Sequence, residues 1–414
     1  MSPAAVHDGS SEVASVQQRR RRGDKRIRGM SLAAAIAAAA ALAVIAVIAL
    51  SGAGGHERAR AFHVRFGGHV LVVRDLLTVQ MAAPVIARSH ILTRALRLKT
   101  ANHASIAFGG GSAWVLSPTG TQATSPCGKL LRVNASSVTV TGSVPIRLCP
   151  ATVAYGDGAV WVLSVQIGVR GFQLTRVNPG TLAVTSVTTI DAGAHGIAPA
   201  GDTGAKYMFV AAANGSVFVA VQDQSGGAQL TVLDAASGRP THQAVLPAGD
   251  GPVTALGSNG SAVWAGTANG WVLALDPATG TVRAARQIGT RVVSMSVSAT
   301  AVWVSVNLPV PARAAYPGLA ILRLDPVTGK LTKDAGLPMA YVAAEGPGLW
   351  ALSSAPPDTP ASGLVAEINP ANGAIVRRAS LPAPGYQTPD TIGVYQRHAW
   401  VINDFLGTLT RIGP

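Results

Sequence analysis

Cysteine, acidic side chains and aromatic rings are all scarce in this chain. Two cysteines, Cys127 and Cys149, stand among 414 residues. One pair is too few for a disulfide framework, and nothing near it has the spacing of a zinc site. Asp and Glu number 19 against 33 Lys and Arg, and no two of them stand at a convincing spacing for paired acid–base work. The nine histidines form no H-E-x-x-H and no close pair. No G-x-S-x-G, P-loop, calcium-loop or C-x-x-C-H signature is present. The familiar hydrolase, nucleotide-hydrolysing and haem-attachment motifs are therefore missing. Charged residues make up only 13% of the chain while 48% is hydrophobic, which excludes bulk disorder.

What is abundant is glycine, with 46 residues, and proline, with 26. That composition predicts many short strands joined by tight turns. The net charge of +14 is unevenly spread. Residues 1–52 contribute +4, residues 53–100 contribute +6, and the remaining three quarters of the chain contributes +4. The excess flanks an apolar stretch, so it points to anionic lipid as its partner and not to nucleic acid.

That stretch is free of charge between Arg28 and Glu57, and Ser31–Leu50 reads SLAAAIAAAAALAVIAVIAL. About 20 apolar residues in a helix cross a hydrocarbon core of roughly 30 Å. Arg19, Arg20, Arg21, Arg22, Lys25, Arg26 and Arg28 precede it, and fewer cations follow. The positive-inside rule puts the N-terminus in the cytoplasm and the rest of the chain outside. The expected organisation is a disordered basic cytoplasmic tail (1–29), a transmembrane signal anchor (30–52), a basic juxtamembrane linker (53–88) and a repeat domain (89–414). Cleavage after Ala53 is the rival reading, and it exports the same domain.

Beyond residue 100 a pattern recurs: an apolar strand, a tight turn, then Ala/Val-Trp-Val. The aligned aromatics are Trp114, Trp161, Phe218, Trp264, Trp303, Trp350 and Trp400. A second pattern, strand–turn–strand, follows the first six and centres on Asn134, Asn178, Asp234, Asp276, Asp325 and Asn369. Those side chains accept from backbone N–H groups just ahead of them, and Gly238, Gly280, Gly329 and Gly373 supply left-handed residues. Each repeat thus encodes four short antiparallel strands, which is a propeller blade. The fold class is all-β: a seven-bladed β-propeller. One blade cannot bury both faces, so the aromatic is expected between blades. The last repeat ends after LTRI (Leu409–Ile412), and HILTRALRLKT (His90–Thr100) is placed to supply its missing fourth strand. Phe62–Asp75 reads either as a local hairpin in the linker or as part of an eighth blade.

Units such as AVWVLS followed by LTRVNPGT resemble the YVTN and PQQ-like repeats of bacterial propeller proteins, over about residues 90–414. The resemblance implies an extracytoplasmic ligand-binding or scaffolding propeller, sometimes carried on a membrane helix. The chain departs from the quinone-dependent dehydrogenases of that group. Thr281, Val282 and Arg283 follow one Asp-x-x-Thr-Gly turn, and Lys330, Leu331 and Thr332 follow the other, where those enzymes carry a Trp. No adjacent cysteine pair is present either, and no cofactor is expected.

Two cysteine-bearing connections, one holding Cys127 and one ending at Cys149, should open on one face of the first blade, so a disulfide between them is expected in an exported domain. Two buried thiols or a redox sensor are the alternatives. The longest irregular stretches, 117–128, 307–318 and 353–362, all follow the Trp strand and should open on that same face. Arg313 and Tyr316 are the residues there best suited to contact a partner. His103, His195 and His398 lie near expected strand starts or turns, where an exposed or satisfied role is the plainer reading. Asp157 and the triplet Gly109–Gly111 read as hairpin residues. The functional expectation is a non-catalytic module for a protein, peptide or cell-wall ligand. The alternative is a propeller enzyme, either a lyase or hydrolase with a channel site or a quinone-dependent dehydrogenase.

Overall fold

The computed structural model describes the strand backbones 63–66, 69–72 and 94–97. It also describes residues 105–413, apart from 119–127, 166–170, 191–207, 223–227, 247–248, 250, 309–318, 335–340, 346–347, 353–363, 373, 382–390 and 404–406. The expected cytoplasmic tail and the transmembrane helix at 30–52 lie outside the described residues. Among the described residues no helix is long and apolar enough to cross a membrane.

The chain divides into two units, 1–87 and 88–414. The first contains one two-stranded sheet, His63–Phe66 against His69–Val72, antiparallel with His63 opposite Val72. A pair of strands is no blade, so the eighth-blade alternative is set aside in favour of a local hairpin.

The second unit holds seven four-stranded antiparallel sheets. Blades 1 to 6 cover 106–146, 149–190, 208–246, 253–287, 291–334 and 341–380. Blade 7 takes three strands from 391–412 and its fourth from Arg94–Arg97, which pairs with Thr408–Ile412 (Arg94 opposite Arg411, Arg97 opposite Thr408). The proposed closure of the ring by the early part of the chain is thus observed. First strands of successive blades touch around the circle, and that of blade 7 meets that of blade 1. They form the inner wall, and the fourth strands form the perimeter.

The seven aromatics lie where the repeat predicts. Each is at most 4% exposed. Each belongs to an apolar cluster shared by two neighbouring blades: Trp114 between blades 1 and 2, Trp161 between 2 and 3, Phe218 between 3 and 4. Trp264, Trp303, Trp350 and Trp400 fill the remaining four junctions in order. Burial of these rings adds a large apolar contact to each junction between blades.

The inner strands approach closely because several positions are very small. A Cβ on Gly109 would fall inside the Tyr155 ring of the next blade, and one on Gly393 would strike Phe108. Hydroxyls then tie neighbouring inner strands. Thr254 Oγ1 donates to the Val292 carbonyl at 2.7 Å, and Ser258 Oγ donates to the Ala212 carbonyl at 2.8 Å. The Val342 and Ala344 N–H groups donate to Ser294 and Ser296 Oγ at 2.9 and 2.8 Å.

Candidate functional site

Alternating strand direction gives the propeller two unlike faces. The connections from first to second strand and from third to fourth open on one, here the turn face. The connections from second to third strand, and from each blade to the next, open on the other, the loop face.

The turn face is built from backbone-satisfied tight turns. Between first and second strands, Gly110-Gly111, Asp157-Gly158, Asn214-Gly215 and Gln396-Arg397 all have positive φ at both positions, the signature of two-residue type I′ hairpins. Asp157 is therefore a hairpin residue, and its Oδ1 accepts the Gly215 N–H of the next blade at 3.0 Å. Glu345 Oε2 does the same for the Arg397 N–H at 3.2 Å. His398 follows the last of these turns and opens the second strand of blade 7, with Nδ1 2.8 Å from the Gln396 carbonyl oxygen, so it does not lie on an inner strand. His103 and His195 lie outside the described residues.

Between third and fourth strands the six Asn/Asp residues act as expected. Asn134, Asn178, Asp276, Asp325 and Asn369 accept the N–H two residues ahead at 2.8 to 3.0 Å. Asp234 takes the Ser237 N–H at 2.7 Å. Bonds to the ionised form hold the aspartates below the usual carboxylate range. The Thr279 N–H is the chief cause at Asp276, which sits at about 2, with Ala278 N–H, Arg283 and the Thr279 hydroxyl adding to it. The Ser237 hydroxyl leads at Asp234, and the Thr328 N–H at Asp325.

Sequence reading missed what these turns do between blades. Directly across from the aromatic, the third strand carries Arg132, Arg176, Arg323 and Arg411 in blades 1, 2, 5 and 7. Arg132 Nη1 donates to the Pro179 carbonyl at 3.2 Å, Arg176 Nη1 to Ala236 at 3.3 Å, and Arg411 Nη1 to Ser136 at 2.8 Å. Each acceptor lies in the next blade's turn. Arg176 and Arg323 also stack over Trp161 and Trp303, 5.6 and 5.7 Å from the ring centres. The signal was present as T-R-V, L-R-V, L-R-L and T-R-I after the Trp strand. It reads as a solvated strand face until the register is known.

One small cleft of about 190 Å³ opens on the turn face between blades 5 and 6. It is lined by Thr300, Trp303, Arg323, Leu349, Pro370 and Ala371 among others, and Arg323 is the one ionisable group in its wall. A lone guanidinium over an indole can hold an oxygen ligand but has no acid–base partner. Among the described residues no group of three metal-ligating side chains comes together. Among the described inner-strand residues, only Arg291 and Glu345 carry a formal charge, at opposite ends of their strands.

The loop face differs. The strands flanking 119–127, 309–318 and 353–363 all end on that face, so the chain leaves for these three segments, and returns from them, on the same side. Blades 5 and 6 are neighbours and carry two of them. Blade 4, by contrast, is short: the Thr267 hydroxyl accepts the Trp271 N–H at 3.2 Å, and Asn269 Nδ2 donates to the Gly249 carbonyl at 2.8 Å. At the loop-face ends of four second strands stand buried polar residues. Ser117, Ser164, Thr267 and Asn403, each three residues after its aromatic, are at most 4% exposed. That row was legible as W-V-L-S, W-V-L-S, W-A-G-T and W-V-I-N but was not recognised as a pattern.

Arg313 and Tyr316 lie within 309–318, outside the described residues; the flanking strands are Val302–Asn307 and Leu319–Leu324. Cys149 starts the first strand of blade 2 at the loop face and is disulfide-bonded. Among the described residues no cysteine is free. Cys127 lies outside the described residues.

No family model matches the chain, and no curated protein matches it by sequence. Solved structures do resemble its fold. The Pan2 WD40 domain of Neurospora crassa aligns with a TM-score of 0.52 at 12% identity, covering 81% of this chain and 93% of that one. The Cps50 (Swd1) β-propeller domain of Myceliophteria thermophila aligns at 0.54 and 11% identity, covering 78% and 98%. BamB from Moraxella catarrhalis aligns at 0.48 and 15% identity, covering 78% and 98%. At such identities the first two likenesses speak to the fold alone: this chain carries a β-propeller.

Proposed function

We propose that the chain is a membrane-anchored, extracytoplasmic propeller that binds a protein, peptide or cell-wall ligand without catalysis, in the manner of the YVTN and PQQ-like repeat proteins its units resemble. One observation carries the binding reading: the two faces are built unequally. The turn face spends its backbone groups on type I′ hairpins, Asn/Asp turns and links to the next blade. The long insertions 119–127, 309–318 and 353–363 all leave from the opposite face, and insertions on one face of a repeat scaffold are where recognition residues concentrate. The anchor rests on the uncharged segment Ser31–Leu50 and its arginine-rich cytoplasmic flank. Support for a non-catalytic role comes from the described inner wall, whose side chains are mostly small and apolar.

The test is affinity capture with the full chain extracted in mild detergent, followed by mass spectrometry. A second chain with both Arg313→Ala and Tyr316→Ala serves as the comparison. A specific partner retained by the first and lost by the second supports the reading. Equal capture by both removes the loop of blade 5 from it. Membrane attachment is checked separately: the chain should stay with the membrane pellet after alkaline extraction, and protease added outside should digest 53–414 and spare the tail.

A further inference from the structure

The perimeter of a propeller is a set of sheet edges, one per blade, and each edge exposes unpaired backbone groups. Six of the seven edges here are guarded. The fourth strands of blades 4, 5, 6 and 7 carry Arg283 and Arg286, Lys333 and Asp334, Arg377 and Arg378, and Arg94 and Arg97. Blade 1 has Gly142 and Pro145 in its edge strand, and blade 3 has Pro240 and His242. Charge, proline and glycine are the devices that keep such edges from pairing with another chain.

Blade 2 has none of them. Its edge strand, Val184–Ile190, reads VTSVTTI. Every residue but Ser186 is β-branched, the class that best fits a pleated sheet. After one bulge near its start the strand pairs regularly with the third strand, from Ser186 opposite Arg176 to Ile190 opposite Phe172. Val187 is 53% exposed and Val184 46%, the two most exposed large apolar residues in any described strand. Ser186 and Thr188 face the next blade, where the Thr188 hydroxyl donates to the Gly238 carbonyl at 2.8 Å. The strand is thus held straight from inside, and among the described residues no strand pairs with its outer edge.

We infer that this edge pairs with the same edge of a second copy of the chain, antiparallel and centred on Val187, joining two blades into one continuous sheet. Two arguments select a second copy over a foreign segment. The strand is self-complementary: about Val187 the pairing sets Ser186 against Thr188 and Thr185 against Thr189, hydroxyl to hydroxyl, with Val184 against Ile190. A two-fold interface demands that kind of match. Charge makes the second argument. The edge strands of blades 4, 6 and 7 each carry two arginines and no carboxylate, so edge-to-edge approach of two copies is repulsive there. The fourth strands of blades 1 to 3 carry no Lys, Arg, Asp or Glu, and blade 2 sits at the centre of that neutral sector.

The test is site-directed cross-linking of the full-length chain in its membrane. Val187→Cys places two thiols opposite each other across the two-fold axis, within reach of a disulfide. Val282→Cys, on the edge of blade 4 and 40% exposed in the parent, is the control. The expected result is a covalent dimer from V187C under mild oxidation and little from V282C. In detergent the parent chain should sediment as a dimer, and Val187→Lys, with two ammonium groups face to face, should weaken that dimer by about tenfold or more without changing the thermal unfolding midpoint of the fold. Equal cross-linking by V187C and V282C, or a parent chain that sediments as a monomer at every concentration tried, overturns the inference. A V187K chain that fails to fold leaves the cysteine comparison to decide.

Discussion

Leu182 occupies a backbone position where a side chain is costly, with φ of +62°, and Val138 does the same at +55°. Glycine fills the matching positions in blades 3, 4 and 5, at Gly238, Gly280 and Gly329. A left-handed residue other than glycine costs on the order of 1–3 kcal/mol, and burying its side chain returns a similar amount. Val138 is 6% exposed and packs in the junction of blades 7 and 1, and Leu182 packs on the junction of blades 1 and 2. Room for Leu182 comes from Gly142, whose added Cβ would overlap Leu182 Cδ1. Gly142→Ala should therefore destabilise by about 1–3 kcal/mol. The same change made on top of Leu182→Ala should cost much less, and a double-mutant cycle by denaturant unfolding reads the difference. A ring at the junctions is the general need: Trp161→Phe should cost less than about 1.5 kcal/mol, since Phe218 already serves in blade 3, while Trp161→Ala should cost about 3–5 kcal/mol. The aromatic row was legible because one residue type repeats with its strand. Val138 and Leu182 were not, because an apolar letter in place of glycine looks like the start of the next strand.

At the scale of the element, the Asn/Asp turn was readable and its partner across the blade gap was not. The side chain of the turn bonds within three residues, so spacing along the chain suffices to find it. The arginine that reaches the following turn acts over 47 residues in blade 1, and only the register of second and third strands sets it opposite the indole. Removing it by Arg176→Ala should cost about 1–3 kcal/mol through the lost carbonyl bond and stacking. The turns also set an acid limit. Their aspartates titrate lower when folded than when unfolded, so the stability they add is full above the unfolded value, near 3.8, and is lost as pH falls through the folded one, about 2 at Asp276. Unfolding measured from pH 5 to pH 2 should show a decline concentrated below pH 4. A chain with Asp234, Asp276 and Asp325 all changed to Asn should decline less in that window, and Asn already serves in the other three turns. Cysteine chemistry belongs to this scale as well. A bridge from Cys149 to Cys127 would close about 22 residues and stabilise by roughly 3 kcal/mol. Peptide mapping without reductant should recover the two cysteines in one linked fragment.

For the whole molecule, length, repeat and closure were all open to sequence reading, because a ring of like units writes its own period. The partner was not, because the residues nominated for it, Arg313 and Tyr316, stand in a stretch of sequence that the repeat does not cover. Closure itself is open to a direct challenge. Arg94–Arg97 supplies four residues of ladder to Thr408–Ile412. Placing proline at both Ala95 and Leu96 removes two donors, so at least one ladder bond is lost, and proline in a strand costs about 3 kcal/mol where it breaks pairing. Thermal unfolding of that variant should begin earlier and lose its single cooperative step. The same pairing sets a clock. Arg94 leaves the ribosome some 300 residues before its partner Arg411 is made. At roughly 5–20 residues per second the first-made strand waits about 15–60 s for the last. Throughout that interval the finished blades have a bare end on each side, and whatever carries the nascent chain must keep both from finding the wrong neighbour.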